Sequence, residues 1–127
     1  MGRLPTRNWR MSMKFLCVYR PGTPENGTPP LSAQDQAAMG ALIGDMAKAG
    51  VLLATEGCLP SSQGVRLRLD AGKFTVTDGP FPETKELIAG FCLIQVKSKA
   101  EAVEWGKRFL SVVKTGESEL RQICEQP

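Results

Sequence analysis

The chain of 127 residues contains no histidine, and aromatic residues make up only 6% of it. The lack of histidine excludes zinc sites built from imidazole and any acid–base pair that needs one. Four cysteines are present, but none of them has the paired spacing C-x-x-C that is typical of a metal site. They are Cys17, Cys58, Cys92 and Cys124. We therefore expect neither a metal site nor a bound cofactor.

Long apolar runs are also missing. No run reaches the roughly 18 residues that a membrane-spanning helix needs, and the N-terminus lacks the apolar segment of a secretory signal. A chain of this length forms one domain with a single core. We expect a cytoplasmic protein without membrane contact, whose cysteines are reduced. Cys17 and Cys92 stand inside apolar runs and are interpreted as small buried core residues.

The net charge of +3 comes from the start of the chain, where Arg3, Arg7 and Arg10 lie. Without these three of the 16 basic residues, 13 remain, and they balance the 13 acidic residues. Nucleic-acid-binding domains usually have a basic excess, so we predict that the domain itself binds no nucleic acid. Residues 1–12 have no periodicity and are expected to be a flexible tail. Residues 13–127 form the predicted domain, and Met13 is a candidate native start.

The hydrophobic pattern predicts the element order β-α-β-hairpin-β-α-β. The apolar runs Phe15–Tyr19 and Ile88–Val96 are typical of strands that are buried on both faces. Shorter strands are predicted at 51–55 and 119–124. Val65 to Leu69 and Phe74 to Val76 alternate apolar and polar residues around a turn, which predicts a hairpin with one apolar face.

Two amphipathic helices are predicted between these strands. Ser32 and Ser98 each begin a capping signal, and Gly50 and Gly116 are the expected stops. The apolar stripe of the first helix comprises Met39, Leu42, Ile43, Met46 and Ala47. That of the second comprises Ala102, Trp105, Phe109 and Val112.

This order predicts an α+β fold: a ferredoxin-like antiparallel sheet with two helices on one face and an inserted β-hairpin. The first and third long strands occupy the centre of such a sheet. Because the helices cover one face only, the second apolar face needs another cover. A second copy of the chain is the simplest one, so we expect a homodimer.

The stretch Asp78-Gly79-Pro80-Phe81, continued by residues 82–86, is predicted to be a rigid loop. Its two prolines fix φ and remove two backbone donors. Carboxylates and a lysine are concentrated in it, which is typical of a site.

This motif, together with Leu59-Pro60, Gly90-Phe91 and Arg121, resembles the YCII-related (DGPF domain) family. The resemblance covers the chain from Met13 onward. It implies the dimeric α/β-barrel fold, in which two ferredoxin-like sheets pack face to face, and a small cytoplasmic bacterial protein. Members are often encoded near sigma factors. Relatives in the wider group look like lyases that use a His–Asp pair, which this chain cannot form.

Asp78 is the candidate catalytic residue, as an acid/base or ligand-anchoring group. The alternative is that its carboxylate only caps an Asx-turn in its own loop. Within the loop, Lys85 and Glu86 are favoured over Glu83. The candidate ligand-binding residues are Tyr19, Glu56, Arg66, Phe81, Lys85, Glu86 and Arg121.

These residues and patterns are consistent with two functions. The first is small-molecule binding in a pocket at the motif loop, with carboxylate-based proton abstraction or elimination. The alternative is a non-catalytic dimeric interaction or regulatory module associated with sigma-factor-dependent transcription. A pocket lined by a carboxylate and an arginine favours the first, and a large apolar exterior patch favours the second.

Overall fold

A computed structural model describes residues 12–25 and 30–125. The predicted tail, except for Ser12, lies outside these residues. The elements are β1 (Met13–Arg20), α1 (Ala33–Lys48), β2 (Leu52–Gly57), β3 (Val65–Asp70), β4 (Lys73–Asp78), β5 (Gly90–Val96), α2 (Lys99–Val113) and β6 (Glu117–Gln122). This is the predicted order.

Four strands form one antiparallel sheet in the order β2-β5-β1-β6. The first and third long strands, β1 and β5, therefore lie in the centre, and the prediction of a ferredoxin-like α+β fold is confirmed. Several boundaries differ from the predicted ones: β2 covers Leu52–Gly57 instead of 51–55, and β6 begins at Glu117 instead of residue 119. β5 begins at Gly90 instead of residue 88, and β6 ends at Gln122, two residues before the predicted end.

The pairing of β1 with β5 decides which side chains face the helices. Phe15 lies opposite Ile94 and Cys17 opposite Cys92, without a register shift along β1. Side chains alternate between the two faces of a strand, so these pairs share one face. Phe15 and Ile94 are buried in the core beneath the helices. Burying one such apolar side chain contributes about 1.5–3 kcal/mol.

The opposite face of the sheet, which we call the outer face, carries no helix. Leu16 lies opposite Leu93 there, and Val18 lies opposite Phe91. These four side chains remain partly or largely exposed in the single chain. The two-sided apolar character of the central strands is therefore real, but the fold of one chain covers only one side.

Both helices begin at the predicted caps. The Ser32 hydroxyl accepts a hydrogen bond from the Asp35 N–H at 3.0 Å, and the Ser98 hydroxyl accepts one from the Glu101 N–H at 3.1 Å. The predicted apolar stripe of α2 packs on the core. α2 ends at Val113, before the predicted stop. No helix in the described ranges is long and apolar enough to cross a membrane.

The predicted stripe of α1 is only partly in contact with the core. Leu42 and Met46 are buried, but Ile43 is 36% exposed and Ala47 is also exposed. The reason is that α1 does not close fully onto the sheet, and a cavity lies between them. Ile43 and Ala47 of the predicted apolar stripe therefore do not belong to the core.

β3 and β4 form the predicted hairpin as a separate two-stranded sheet. The turn residues Ala71 and Gly72 have φ of 50° and 79°, as a two-residue hairpin turn requires. Leu67 lies opposite Val76 and Leu69 lies opposite Phe74 on one face, which we call the hairpin face. Phe74 is 77% exposed and the others are also exposed, so this apolar face is uncovered in the single chain.

The motif loop contacts the segment after β2 through its backbone. The Gly79 N–H donates to the Gly64 carbonyl at 3.0 Å. A Cβ added at Gly79 would clash with the Ser61 carbonyl oxygen. Glycine is therefore required at this position by the close approach of two backbone segments.

We expect Gly79→Ala to lower the free energy of unfolding by at least about 2 kcal/mol, because the clash is with backbone that cannot rotate away. The control is Gly40→Ala in α1, where an added Cβ meets nothing within 4 Å. That change should stabilise the protein by up to about 1 kcal/mol through helix propensity. Urea unfolding of both variants gives the comparison, and equal stability of Gly79→Ala and the wild type would contradict the close approach.

Candidate functional site

A cavity of about 600 Å³ lies between the helix-facing side of the sheet and the two helices. Met39 and Ile43 of α1 form one wall, and Trp105 and Phe109 of α2 form the other. This volume falls in the range of pockets that hold small organic ligands, and such pockets are mostly apolar with a few polar groups. Each helix contacts the sheet along its own line, and the part of the sheet between these two lines is not covered. This uncovered part forms the floor of the cavity.

The floor of the cavity contains two thiols. Cys17 of β1 and Cys92 of β5 are direct cross-strand partners, and both line the cavity. Hydrogen bonding with Cys17 lowers the pKa of Cys92, although burial opposes the effect. The same hydrogen bond, together with burial, raises the pKa of Cys17. The pKa of Cys92 therefore lies below that of Cys17, so Cys92 is the first of the two thiols to lose its proton.

A polar end of the cavity is built at the C-terminus of α2. The Tyr19 hydroxyl donates to the Thr115 carbonyl at 2.8 Å, and burial raises the pKa of Tyr19. The Asp35 carboxylate lies 3.1 Å from the Lys114 ammonium. Because Lys114 and Thr115 are adjacent, Tyr19 and Asp35 lie at the same end of the cavity, and both line it. A carboxylate and a phenol thus border a mostly apolar space.

Of the eight predicted site residues, Tyr19 and Glu56 line this cavity. Glu56 is exposed at the end of β2, in register with Phe91. The other six lie outside the lining, at the motif loop, on the hairpin face, in the 3₁₀ turn after the loop and in β6.

The motif loop is one of these places. The Arg66 guanidinium lies over the Phe81 ring, 3.9 Å from its centroid, and 3.2 Å from the Glu83 carboxylate. Hydrogen bonding to Arg66 lowers the pKa of Glu83. The Phe81 N–H donates to the Ser61 hydroxyl at 3.0 Å, and this hydroxyl donates to the Glu25 carboxylate at 2.6 Å. These contacts hold the loop against the segment that follows β2.

Asp78 does not join this cluster. It lies in register with Val65, whereas Arg66 lies opposite Thr77. Adjacent residues of a strand point to opposite faces, so Asp78 shares the hairpin face and Arg66 points away from it. Lys85 and Glu86 are exposed in a short 3₁₀ turn after the loop.

Arg121 lies in β6, away from both the cavity and the motif loop. It is opposite Leu16, so it belongs to the outer face. Its guanidinium lies 3.1 Å from the Glu119 carboxylate, which also contacts Arg20 at 2.7 Å. This ion-pair row borders the apolar residues of the outer face.

Two parts of the cavity were missed by reasoning from the sequence. Asp35 was interpreted only as part of a helix-capping signal, although a carboxylate in the first helical turn is also favourably placed for the helix dipole. Cys17 and Cys92 were interpreted as inert core thiols. Each is the middle residue of a predicted central apolar run, 15–19 or 88–96, but this position does not reveal that the two thiols are neighbours. Only the register of β1 with β5 brings them together. In the described ranges no three His, Cys, Asp or Glu residues cluster as metal ligands.

Comparison with known proteins gives two findings. The family model described as the YCII-related domain matches residues 11–126. An uncharacterized protein of Rhizobium meliloti (strain 1021) is 36% identical over 78 residues, which are 61% of this chain. The chain spans 63% of the length of that relative.

Proposed function

The chain belongs to the YCII-related domain family, and on that premise we propose that it binds a small, largely apolar molecule. The ligand occupies the cavity between the sheet and the two helices. The observation that carries this proposal is the cavity of about 600 Å³ with its thiol floor and its single polar end. The proposal includes a cytoplasmic location, where the four free cysteines stay reduced.

The polar end gives the ligand an orientation. An apolar body packs against Met39, Ile43 and Phe109, while a hydrogen-bonding group reaches Tyr19 or Asp35. Buried hydrogen bonds discriminate strongly between ligands, because an unmatched polar group loses its water without compensation. The preferred ligand is therefore an apolar compound with a donor at one end, since Asp35 offers only acceptor oxygens when ionised.

Filling the cavity should abolish this binding. Thr55 lines the cavity from β2, and Thr55→Phe places a ring there in a strand that tolerates aromatic residues. We expect the affinity for an apolar fluorescent dye such as a phenylnaphthylamine to fall at least about tenfold, a change of about 1.4 kcal/mol. Fluorescence titration measures it.

The matched control is Thr75→Phe, which makes the same change on the exposed β4 strand outside the cavity lining. Its dye affinity should equal that of the wild type. Wild-type protein that binds no dye, or a Thr55→Phe variant that binds as well as the control, would refute the cavity as a ligand site.

We further propose that the protein is a homodimer in which two outer faces pack together as a dimeric α/β barrel. The support is the uncovered apolar centre formed by Leu16, Val18, Leu93 and Phe91. The ion pairs of Arg20 and Arg121 with Glu119 form a polar rim beside it. An apolar centre with a polar rim is the usual anatomy of an interface.

Val18→Lys should convert the dimer into a monomer. A lysine here is tolerated within one chain because its cross-strand neighbour is Glu119, but it places a charge in the apolar centre of the interface. Light scattering should give about twice 13.8 kDa for the wild type and 13.8 kDa for the variant. Ala38→Lys on the exposed side of α1 is the control and should stay dimeric. A monomeric wild type would overturn the proposal.

We also propose a second ligand site at the motif loop. The position of Asp78 on the hairpin face supports it. Its carboxylate shares the hairpin face with Val65 and Leu67. If a second copy covers this face, Asp78 is enclosed by apolar groups and acts as an acid/base or ligand-anchoring group across the interface. Arg66 and Phe81 shape the loop from the other side, and Lys85, Glu86 and the partner's copy of Arg121 supply further charge.

Asp78→Asn separates this role from simple turn capping, because asparagine keeps the turn chemistry but cannot act as a base. We expect unfolding free energy to change by less than about 1 kcal/mol while binding or turnover of any ligand found by thermal-shift screening falls at least tenfold. Asp70→Asn at the opposite end of the hairpin is the control. Unchanged function in Asp78→Asn would leave Asp78 with a structural role only.

The alternative function, a non-catalytic regulatory module associated with sigma-factor-dependent transcription, is favoured by one observation. The hairpin face is apolar and strongly exposed, as a protein-docking surface would be. The dye titration decides between the two functions, because the regulatory module needs no ligand in the cavity.

A further inference from the structure

The backbone hydrogen bonds of β1 define the geometry of the Cys17–Cys92 pair. The Lys14 carbonyl accepts from the Ile123 N–H at 2.7 Å, so the backbone groups of Lys14 point toward β6. These directions alternate along a strand, and residues 15, 17 and 19 therefore point theirs toward β5. The Tyr19 carbonyl agrees, since it accepts from the Ala89 N–H at 2.9 Å on that side. Cys17 and Cys92 are thus a hydrogen-bonded cross-strand pair.

A disulfide across this class of pair fits at the Cα atoms, about 5.5 Å apart, but is strained at the Cβ atoms. The Cβ atoms of the pair lie at the wide end of about 4.5–5.5 Å, whereas a disulfide needs about 3.5–4.5 Å. The two side chains are nevertheless direct cross-strand neighbours on one face of the sheet, and both line the cavity. A single atom bonded to both sulfurs spans a wider gap than a direct sulfur–sulfur bond does. The pair is therefore better suited to hold a bridging atom than to form a direct sulfur–sulfur bond.

The number of ligands limits what that atom can be. In the part of the chain that the structure describes, no third cysteine or carboxylate clusters with this pair, so a four-coordinate zinc ion lacks ligands. Trivalent arsenic with one organic group needs only two sulfurs, and thiolates are its preferred partners as a soft centre. The organic group can then lie against Ile43 and Phe109, which a bare ion would not contact.

We propose that Cys17 and Cys92 form a two-thiol site that captures a small organic compound of trivalent arsenic, with the organic group inside the cavity. The reaction forms two arsenic–sulfur bonds and breaks two arsenic–oxygen bonds of the arsenous compound. The two thiol protons leave with the oxygens as water, and arsenic stays trivalent, so no oxidant is needed. This inference rests on the proposed ligand cavity and names a ligand class for it.

The test uses full-length protein in which the two exposed cysteines are replaced, as Cys58→Ser with Cys124→Ser. Phenylarsine oxide is added and the intact mass is measured. We expect one phenylarsenic group per chain, with loss of two hydrogens. The adduct should resist excess glutathione, a monothiol, and should be removed by dithiothreitol, a dithiol. Protease digestion should show one arsenic joining the peptides that contain Cys17 and Cys92.

Two variants in the same background, Cys17→Ala and Cys92→Ala, should each lose the glutathione-resistant adduct. Failure of the parent to keep the adduct, or an adduct in either alanine variant, overturns the proposal. The protease digestion is done on the parent, in which Cys17 and Cys92 are unchanged. Its result therefore remains decisive even if an alanine variant does not fold. Oxidation of the parent by diamide should leave both thiols free, and an efficient Cys17–Cys92 disulfide would refute the spacing argument.

Dye binding separates this proposal from the proposed function. If the dye binds and phenylarsine oxide is not retained, the two-thiol site is wrong and the cavity remains a ligand site. If the dye does not bind, the cavity proposal has failed. Retention of the arsenical would then show that the two thiols bind arsenic, but not that the cavity holds a ligand. Capture should also lower dye affinity at least about tenfold, because both ligands occupy one space.

Discussion

The register between β1 and β5 is the constraint on which the rest of the structure depends. It sets Phe15 and Ile94 beneath the helices and turns Leu16 and Leu93 to the outer face. A slip by one residue would exchange the two sets and place Lys14 and Gln95 where the core packs. The same register brings Cys17 and Cys92 together and directs Tyr19 toward the end of α2. Core, outer face and cavity floor thus follow from a single pairing.

Most of the fold could be predicted from the sequence because its signals are local. The capping serines Ser32 and Ser98, the alternation around Gly72 and the apolar central runs each depend on a few neighbouring residues. The end of α2 is different, since Lys114 adopts φ of 70° and ends the helix without a glycine. The incomplete contact of α1 also could not be predicted, because Ile43 has the right spacing and only tertiary packing leaves it over a cavity.

The candidate sites were less predictable, because sites depend on which elements meet. Residues 79–83 lie outside helix and ladder as predicted, but Asp78 ends β4 and residues 84–86 form a 3₁₀ turn. The partner of Arg66 is Glu83, and no local rule selects it over Glu86. Asp35 reaches the polar end of the cavity only through Lys114, 79 residues away in the chain. Thiol pairing across β1 and β5 likewise needs the sheet register. The sequence alone identified the groups that carry chemistry, but it did not show which of them lie together in the folded chain.

The hairpin of β3 and β4 has a consequence for the solubility of the single chain. Both of its strands are edges, and unpaired edges with exposed apolar side chains recruit other strands into aggregates. Arg66 and Arg68 alternate with Leu67 and Leu69, so each apolar residue of β3 has a cationic neighbour. Like charges on neighbouring chains repel when strands stack in register. We expect the two arginines to oppose β-aggregation of newly made chains, an effect on solubility that needs no ligand.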